Sequence, residues 1–115
     1  PPPAIQVIRV MPYGVLSNWA EIPTTRHTGD QGYALWRTQQ FDTIRVRMVE
    51  YSENYLADHW CSKGHILLCL EGELHTELDD GRSFTLTAGM SYQVADQAEA
   101  HRSSTSKGAK LFIVD

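Results

Sequence analysis

The chain has little cysteine, no excess of positive charge, no long apolar run and no helical periodicity, and each shortage excludes something. Its 115 residues include two cysteines, Cys61 and Cys69. A secreted disulfide scaffold carries more. On one extended stretch, residues eight apart lie far beyond the ~7 Å Cα separation a bridge tolerates. Both are therefore read as thiols in a reducing compartment, and the protein as cytoplasmic. Lys and Arg number 10 against 14 Asp and Glu, a formal charge of −4. Phosphate binding needs a basic face, so nucleic acid is not expected as a partner. The longest compact apolar run is Ile66-Leu67-Leu68-Cys69-Leu70. It is far short of the ~20 residues of a membrane span, and no membrane partner is expected. Pro1 to Val10 lacks the basic-then-apolar order of a signal peptide.

What is present is enough for one domain. The composition is 42% apolar and 21% charged, which argues against disorder. A chain of this length buries roughly two-thirds of its unfolded surface, enough for one real core. Residues 1–32 read as an N-terminal extended or loop segment. The opening Pro1-Pro2-Pro3 suits an extended tail, and residues 1–10 read as a leader or a remnant. A short turn of helix is expected near Leu16 to Glu21. Residues 33–115 read as a single β-barrel domain. Thr43 to Val49 alternates, with Ile44, Val46 and Met48 on one face and Arg45 and Arg47 on the other. His65 to Glu71 is nearly all apolar, as in a strand covered on both faces, and Gly72 interrupts it. Glu73 to Leu78 alternates again. Asp79-Asp80-Gly81 is a hairpin turn, since Asp and Gly tolerate positive φ. Strands follow at Ser83–Thr87, Ser91–Ala95 and Leu111–Val114. Seven or eight short strands turned every eight to twelve residues predict an all-β sandwich or barrel.

Chemistry concentrates in Asp58-His59-Trp60-Cys61-Ser62-Lys63-Gly64-His65. On a strand, His59 and Cys61 point to one face with Cα atoms about 6.6 Å apart. The turn-forming Ser62-Lys63-Gly64 bends the chain, so His65 approaches the same point. His101 follows the strand Ser91–Ala95 and a short loop, and strand pairing would set it opposite His59 and His65. Imidazole and thiolate suit zinc, iron, copper and nickel. By itself the H-x-C-x3-H spacing fits a metal site and also fits scattered packing histidines.

Residues 59–102 resemble the cupin superfamily. His59, Cys61 and His65 stand at the H, H and E places of the first cupin motif, and Gly72 follows His65 at its end. Gly89-Met90-Ser91-Tyr92-Gln93-Val94-Ala95 and then Ala100-His101-Arg102 match the outline of the second. More narrowly, Asp58-His59-Trp60-Cys61 is similar to the small cupins named for a DHCW motif. The resemblance implies a double-stranded β-helix, or jelly-roll, barrel over residues 33–115. It also implies one divalent metal ion (zinc, iron or nickel) held by His59, Cys61, His65 and His101. A thiolate from Cys61 would close the site in a structural role. Three imidazoles alone would leave positions open for water or substrate. The implied protein is a metal-binding cupin acting on a small molecule, with oxidoreductase, dioxygenase-like or isomerase-like chemistry. The alternative is a non-catalytic small-molecule or sensor module, with a structural metal or none. A homodimer is implied too, and exposed sheet edges favour pairing.

Other residues take less specific readings. Whichever of Tyr92 and Gln93 faces inward would touch a bound small-molecule ligand or substrate. Arg47, with Arg45, either meets an anionic substrate inside the barrel or pairs with the acids of residues 71–80, the latter being favoured. Those acids read as a solvated strand face and hairpin tip. His75 reads as exposed, His27 as a surface-loop residue, and Trp36, Trp60 and Tyr92 as packing. Trp60 alternates with His59 and Cys61 and so points away from the metal side. Asp58 or Lys63 would orient a ligand imidazole.

Overall fold

The computed structural model describes residues 14–115. The expectations for residues 1–10 lie outside them. One 3-10 turn, Trp19–Glu21, is capped by the Asn18 side chain, which accepts from the Ala20 N–H. All else of regular structure is strand: β1 Thr25–Thr28, β2 Tyr33–Phe41, β3 Ile44–Tyr51, β4 Tyr55–Leu56, β5 His65–Leu78, β6 Ser83–Thr87, β7 Ser91–Val94, β8 His101–Thr105 and β9 Ala109–Val114. They pair antiparallel in the order β1-β2-β3-β9-β5-β8-β4, with β6 and β7 also on β5. The all-β barrel expectation holds.

β5 joins the two sheets. Its first half lies between β9 and β7, and its second between β6 and β8. The sequence reading broke this strand at Gly72. The chain instead bends there without ending, through a register shift between Cys69 and Glu71. Gly72 has φ +78, and a Cβ on it would meet the Gly108 carbonyl oxygen at 2.3 Å. Only glycine supplies that conformation at that approach. The expectation that both faces of His65–Glu71 are covered is also corrected. Ile66 is 54% and Leu70 37% exposed, and among the described residues nothing covers them on the outside of this sheet.

The apolar core is the inward face of several strands. Ala34, Val49, Leu67, Cys69, Leu74, Leu86, Ala109, Leu111 and Ile113 form one buried cluster. Burying a side chain such as Leu74 or Leu111 contributes roughly 1.5–3 kcal/mol. The Asp79–Gly81 hairpin forms as expected, with Gly81 at φ +95 and its N–H donating to the Leu78 carbonyl.

Four elements depart from the sequence reading. Thr25–Thr28 is a strand rather than loop, paired in register with Tyr33–Trp36. The short β4 and the strand β8 were not anticipated. β3 turns its charged face inward: Arg47 is buried and Ile44 is 48% exposed. Among the described residues no helix is long and apolar enough to cross a membrane.

Candidate functional site

The inner end of the barrel is polar because three strands switch chemistry along their inward faces. β3 runs from Val49 to Arg47 and Arg45. β5 runs back from Leu67 to His65. β9 runs from Leu111 and Ile113 to Asp115, which pairs through its backbone with Arg45. His65 opens β5, opposite Val94. Just before it, the Gly64 N–H donates to the Asp96 carboxylate at 2.9 Å; the turn expected at Ser62–Gly64 does not form. His101 opens β8, opposite Leu78 on one side. On the other it exchanges two backbone hydrogen bonds with Cys61, at 2.8 and 2.9 Å.

This brings two of the histidines together. The ring centroids of His65 and His101 are 4.5 Å apart, at 75°. His101 Nδ1 lies 3.2 Å from the Glu99 carbonyl oxygen. A carbonyl only accepts, so Nδ1 carries a proton and donates it there, which leaves Nε2 for another partner. The Nε2 atoms of His65 and His101 are both buried, with no hydrogen-bond partner among the described residues. Burial pushes the His65 imidazole down to about 4, with His101, Arg47 and Arg45 adding to the shift and Asp115 opposing it. His65 is therefore neutral at pH 7.

His59 stands apart. Its side chain is 71% exposed, and Nδ1 lies 2.6 Å from Asp58 Oδ1. That hydrogen bond is the main cause holding the Asp58 carboxyl below its usual range. His59, Cys61, His65 and His101 line one cavity of about 140 Å3, together with Trp36, Arg45, Arg47, Tyr51, Tyr55 and Asp115. Among the described residues, no three His, Cys, Asp or Glu side chains are grouped so as to hold a metal ion as they stand. Cys61 and Cys69 are both free thiols.

The arginines settle against a residue that sequence reasoning missed. Arg45 grips Asp115 with two hydrogen bonds, at 2.9 and 2.7 Å, and Arg47 Nη2 donates to it at 3.0 Å. Pairing with the acids of residues 71–80 is thus corrected: Glu71, Glu73, Glu77, Asp79 and Asp80 are exposed on the outer face and hairpin. Burial pushes the Asp115 carboxyl up, but Arg45 and Arg47 outweigh it and leave it below the usual range. Burial pushes the Arg47 guanidinium down despite Asp115. Arg47 lies over the Trp36 ring, 4.3 Å from its centroid. Trp36 stacks in turn on His27, at 3.7 Å and 26°. His27 is therefore a half-buried strand residue and not a surface-loop one. Burial, then Arg47 and Arg45, push its imidazole down. Tyr51 stacks on Tyr55 at 4.2 Å, and burial pushes the Tyr51 phenol up. One signal could have found Asp115: it continues the period-two series of Leu111 and Ile113.

Of the two ligand candidates on β7, Tyr92 faces inward, opposite Leu67, with its ring 6.4 Å from His65 and 5.9 Å from His101. Gln93 pairs opposite the exposed Ile66, accepts from the Ser91 hydroxyl, and does not line the histidine cavity. Tyr92 also lines a second, wider groove of about 730 Å3 with Phe84, Leu86, Met90 and Val94. That groove carries no histidine or cysteine. His75 is exposed beside Thr85, and Trp60 is 42% exposed and outside the histidine cavity.

A scan against protein-family models matches none, and no curated protein sequence matches. Solved structures do match. A predicted oxalate decarboxylase from Thermotoga maritima superposes with TM-score 0.74 at 14% identity, over 87% of this chain and 96% of that one. An RmlC-like cupin from Shewanella frigidimarina gives 0.67 at 19%, over 85% and 86%. The structure of Fe(II)-HppE with the alternative substrate (S)-1-HPP gives 0.73 at 18%, over 90% of this chain but only 60% of that one. Identities this low speak for architecture alone. A curled antiparallel sheet, shared over most of the chain with proteins of this kind, is the cupin fold.

Proposed function

We propose that this protein is a small metal-binding cupin whose inner cavity holds one divalent ion, zinc, iron or nickel, and works on a small molecule. One observation carries the reading: two imidazoles, with ring centroids 4.5 Å apart, leave both Nε2 atoms buried in one cavity and without a partner among the described residues. A buried polar atom without a partner is costly unless something fills it. His65 and His101 would hold the ion. His59 and Cys61, which line the same cavity, would complete the set, with His59 leaving Asp58 to do so. When bound, such an ion polarises a carbonyl or activates water or oxygen. The chain's own part is to orient the His101 ring through the Glu99 carbonyl, to keep His65 unprotonated by burial, and to wall the site with Trp36, Tyr51 and Tyr55. The Fe(II) in the HppE structure belongs to a protein of the same fold and supports the reading.

The test is metal analysis of the purified protein and of protein exposed to each ion, with optical spectra after cobalt substitution. About one ion per chain is expected, lost in His65→Ala and His101→Ala. Intense thiolate-to-cobalt absorption would put Cys61 on the metal and favour a structural role. Its absence would favour an open, catalytic site. Protein that folds normally yet takes up no ion overturns the proposal. A second reading then takes over: a non-catalytic small-molecule pocket. The exposed His59, tied to Asp58, favours it.

A further inference from the structure

The histidine cavity holds a third unpartnered group, and it is a cation. Arg47 is 6% exposed, its Nη2 is spent on Asp115, and its Nε–H is buried with no acceptor. A guanidinium has five N–H donors and no acceptor, so only an oxygen or another acceptor can satisfy that Nε–H. Arg45 and Arg47 line the cavity beside Asp115. For a guanidinium donor the strongest acceptor is an anionic oxygen. Size restricts which one. The cavity, of about 140 Å3, suits a small molecule. The Nε2 atom of His101, in the same cavity, has no partner among the described residues, and a ligand hydroxyl, which both donates and accepts, could meet it.

We infer that the cavity binds a short carboxylate, of about the size of a hydroxypropionate, with its carboxylate on Arg47 and a hydroxyl toward the histidine pair. This names the ligand class of the site proposed above. It rests on that reading for the cavity, but the Arg47 contact needs no metal. The Trp36 face under Arg47 holds the guanidinium plane in place, and Tyr51 and Tyr55 wall the site.

The experiment titrates L-lactate, its neutral analogue lactamide, propionate and inorganic phosphate into the full chain, by calorimetry and by NMR shifts of the Trp36 and His101 rings. It is run after chelator treatment and again with zinc. Lactate is expected to bind in both states, and lactamide at least about tenfold more weakly, since one charge-assisted hydrogen bond is at stake. Propionate should fall between them. Arg47→Lys, which keeps the charge and loses Nε–H, should weaken lactate about tenfold or more. Should that variant not fold, the lactate-to-lactamide ratio in the native chain decides alone. Equal binding of lactate and lactamide, no binding of either, or tighter binding of phosphate overturns the proposal. So does lactate binding that requires zinc and survives Arg47→Lys, though this leaves the metal reading standing. Lactate binding to chelated protein that takes up no ion supports the carboxylate site and overturns the metal.

Discussion

The two ends of the barrel interior are made by the same strands and have opposite chemistry. At one end Val49, Cys69, Leu74, Leu86 and Leu111 close on one another, all between 0 and 3% exposed. At the other, Arg47 and His101 are buried and His65 and Asp115 partly so. Among the described residues four buried polar atoms lack partners: Arg47 Nε, His65 Nε2, His101 Nε2 and Thr76 Oγ1. Three of these four belong to the polar end. The first end is closed by apolar contacts. The second is organised by the Arg45–Asp115–Arg47 cluster and still short of acceptors and donors, as a site built to receive something would be.

The sharpest way to break the comparison is to disturb that cluster. Asp115→Asn leaves the buried Arg47 guanidinium without its counter-charge. A loss of roughly 3–5 kcal/mol is expected in denaturant unfolding. Adding Arg47→Leu should recover part of it, because the uncompensated charge costs more than the missing contact. No recovery would mean that Asp115 acts by packing. At the apolar end, Leu111→Ala should cost about 2–5 kcal/mol through the cavity it leaves, with the lactate-to-lactamide ratio unchanged. A changed ratio would show that the two ends are coupled.

The same comparison explains what could be read in the sequence. Strands that line the apolar end announced themselves: β3, β6, β9 and both halves of β5 carry alternating or continuous apolar residues, and their reading held to within a few residues. The strands β1 (Thr25-Arg26-His27-Thr28) and β8 (His101-Arg102-Ser103-Ser104-Thr105) were missed. Their inward residues, His27, His101 and Ser103, face Trp36 or line the polar cavity, so no hydrophobic period exists to be seen. His65 and His101 were legible as a pair through motif spacing. The inward turn of Arg47 was not, since charge on one face of an alternating strand ordinarily means solvent. His59 shows the limit of spacing: two residues from Cys61, it was expected to share its target, yet its ring turns to Asp58.

Titration probes the polar end more gently. His65 has a folded-state value of about 4 against 6.5 for an unburied histidine. Between those values the unfolded chain takes up the proton and the folded one does not. The contribution is therefore fully present above about pH 6.5 and is lost as the pH falls toward 4. It amounts to up to about 3 kcal/mol in chelated protein. His27 shifts in the same direction. The measurement is thus the difference between the native chain and His65→Gln, followed by urea unfolding from pH 7 to 4.5. Parallel profiles would mean that His65 is protonated in the folded state at no cost.

The smallest expected effect discriminates most finely between outer and inner histidines. His75 and His101 stand on neighbouring strands of one sheet: His75 pairs opposite Ser104, and Leu78, three residues on from His75, pairs opposite His101. Replacing either removes an imidazole from the same few strands. They differ in face. His75 is exposed and touches only the Thr85 hydroxyl, at 3.3 Å, so His75→Ala should change stability by no more than about 0.5 kcal/mol and leave metal uptake as it was. His101 is 3% exposed, with Nε2 toward no partner, so His101→Ala should abolish uptake while the β8 backbone bonds to Cys61 persist. Equal losses from both would mean that any bound ion sits on the outside of the barrel, and the unpartnered nitrogens within would need another occupant.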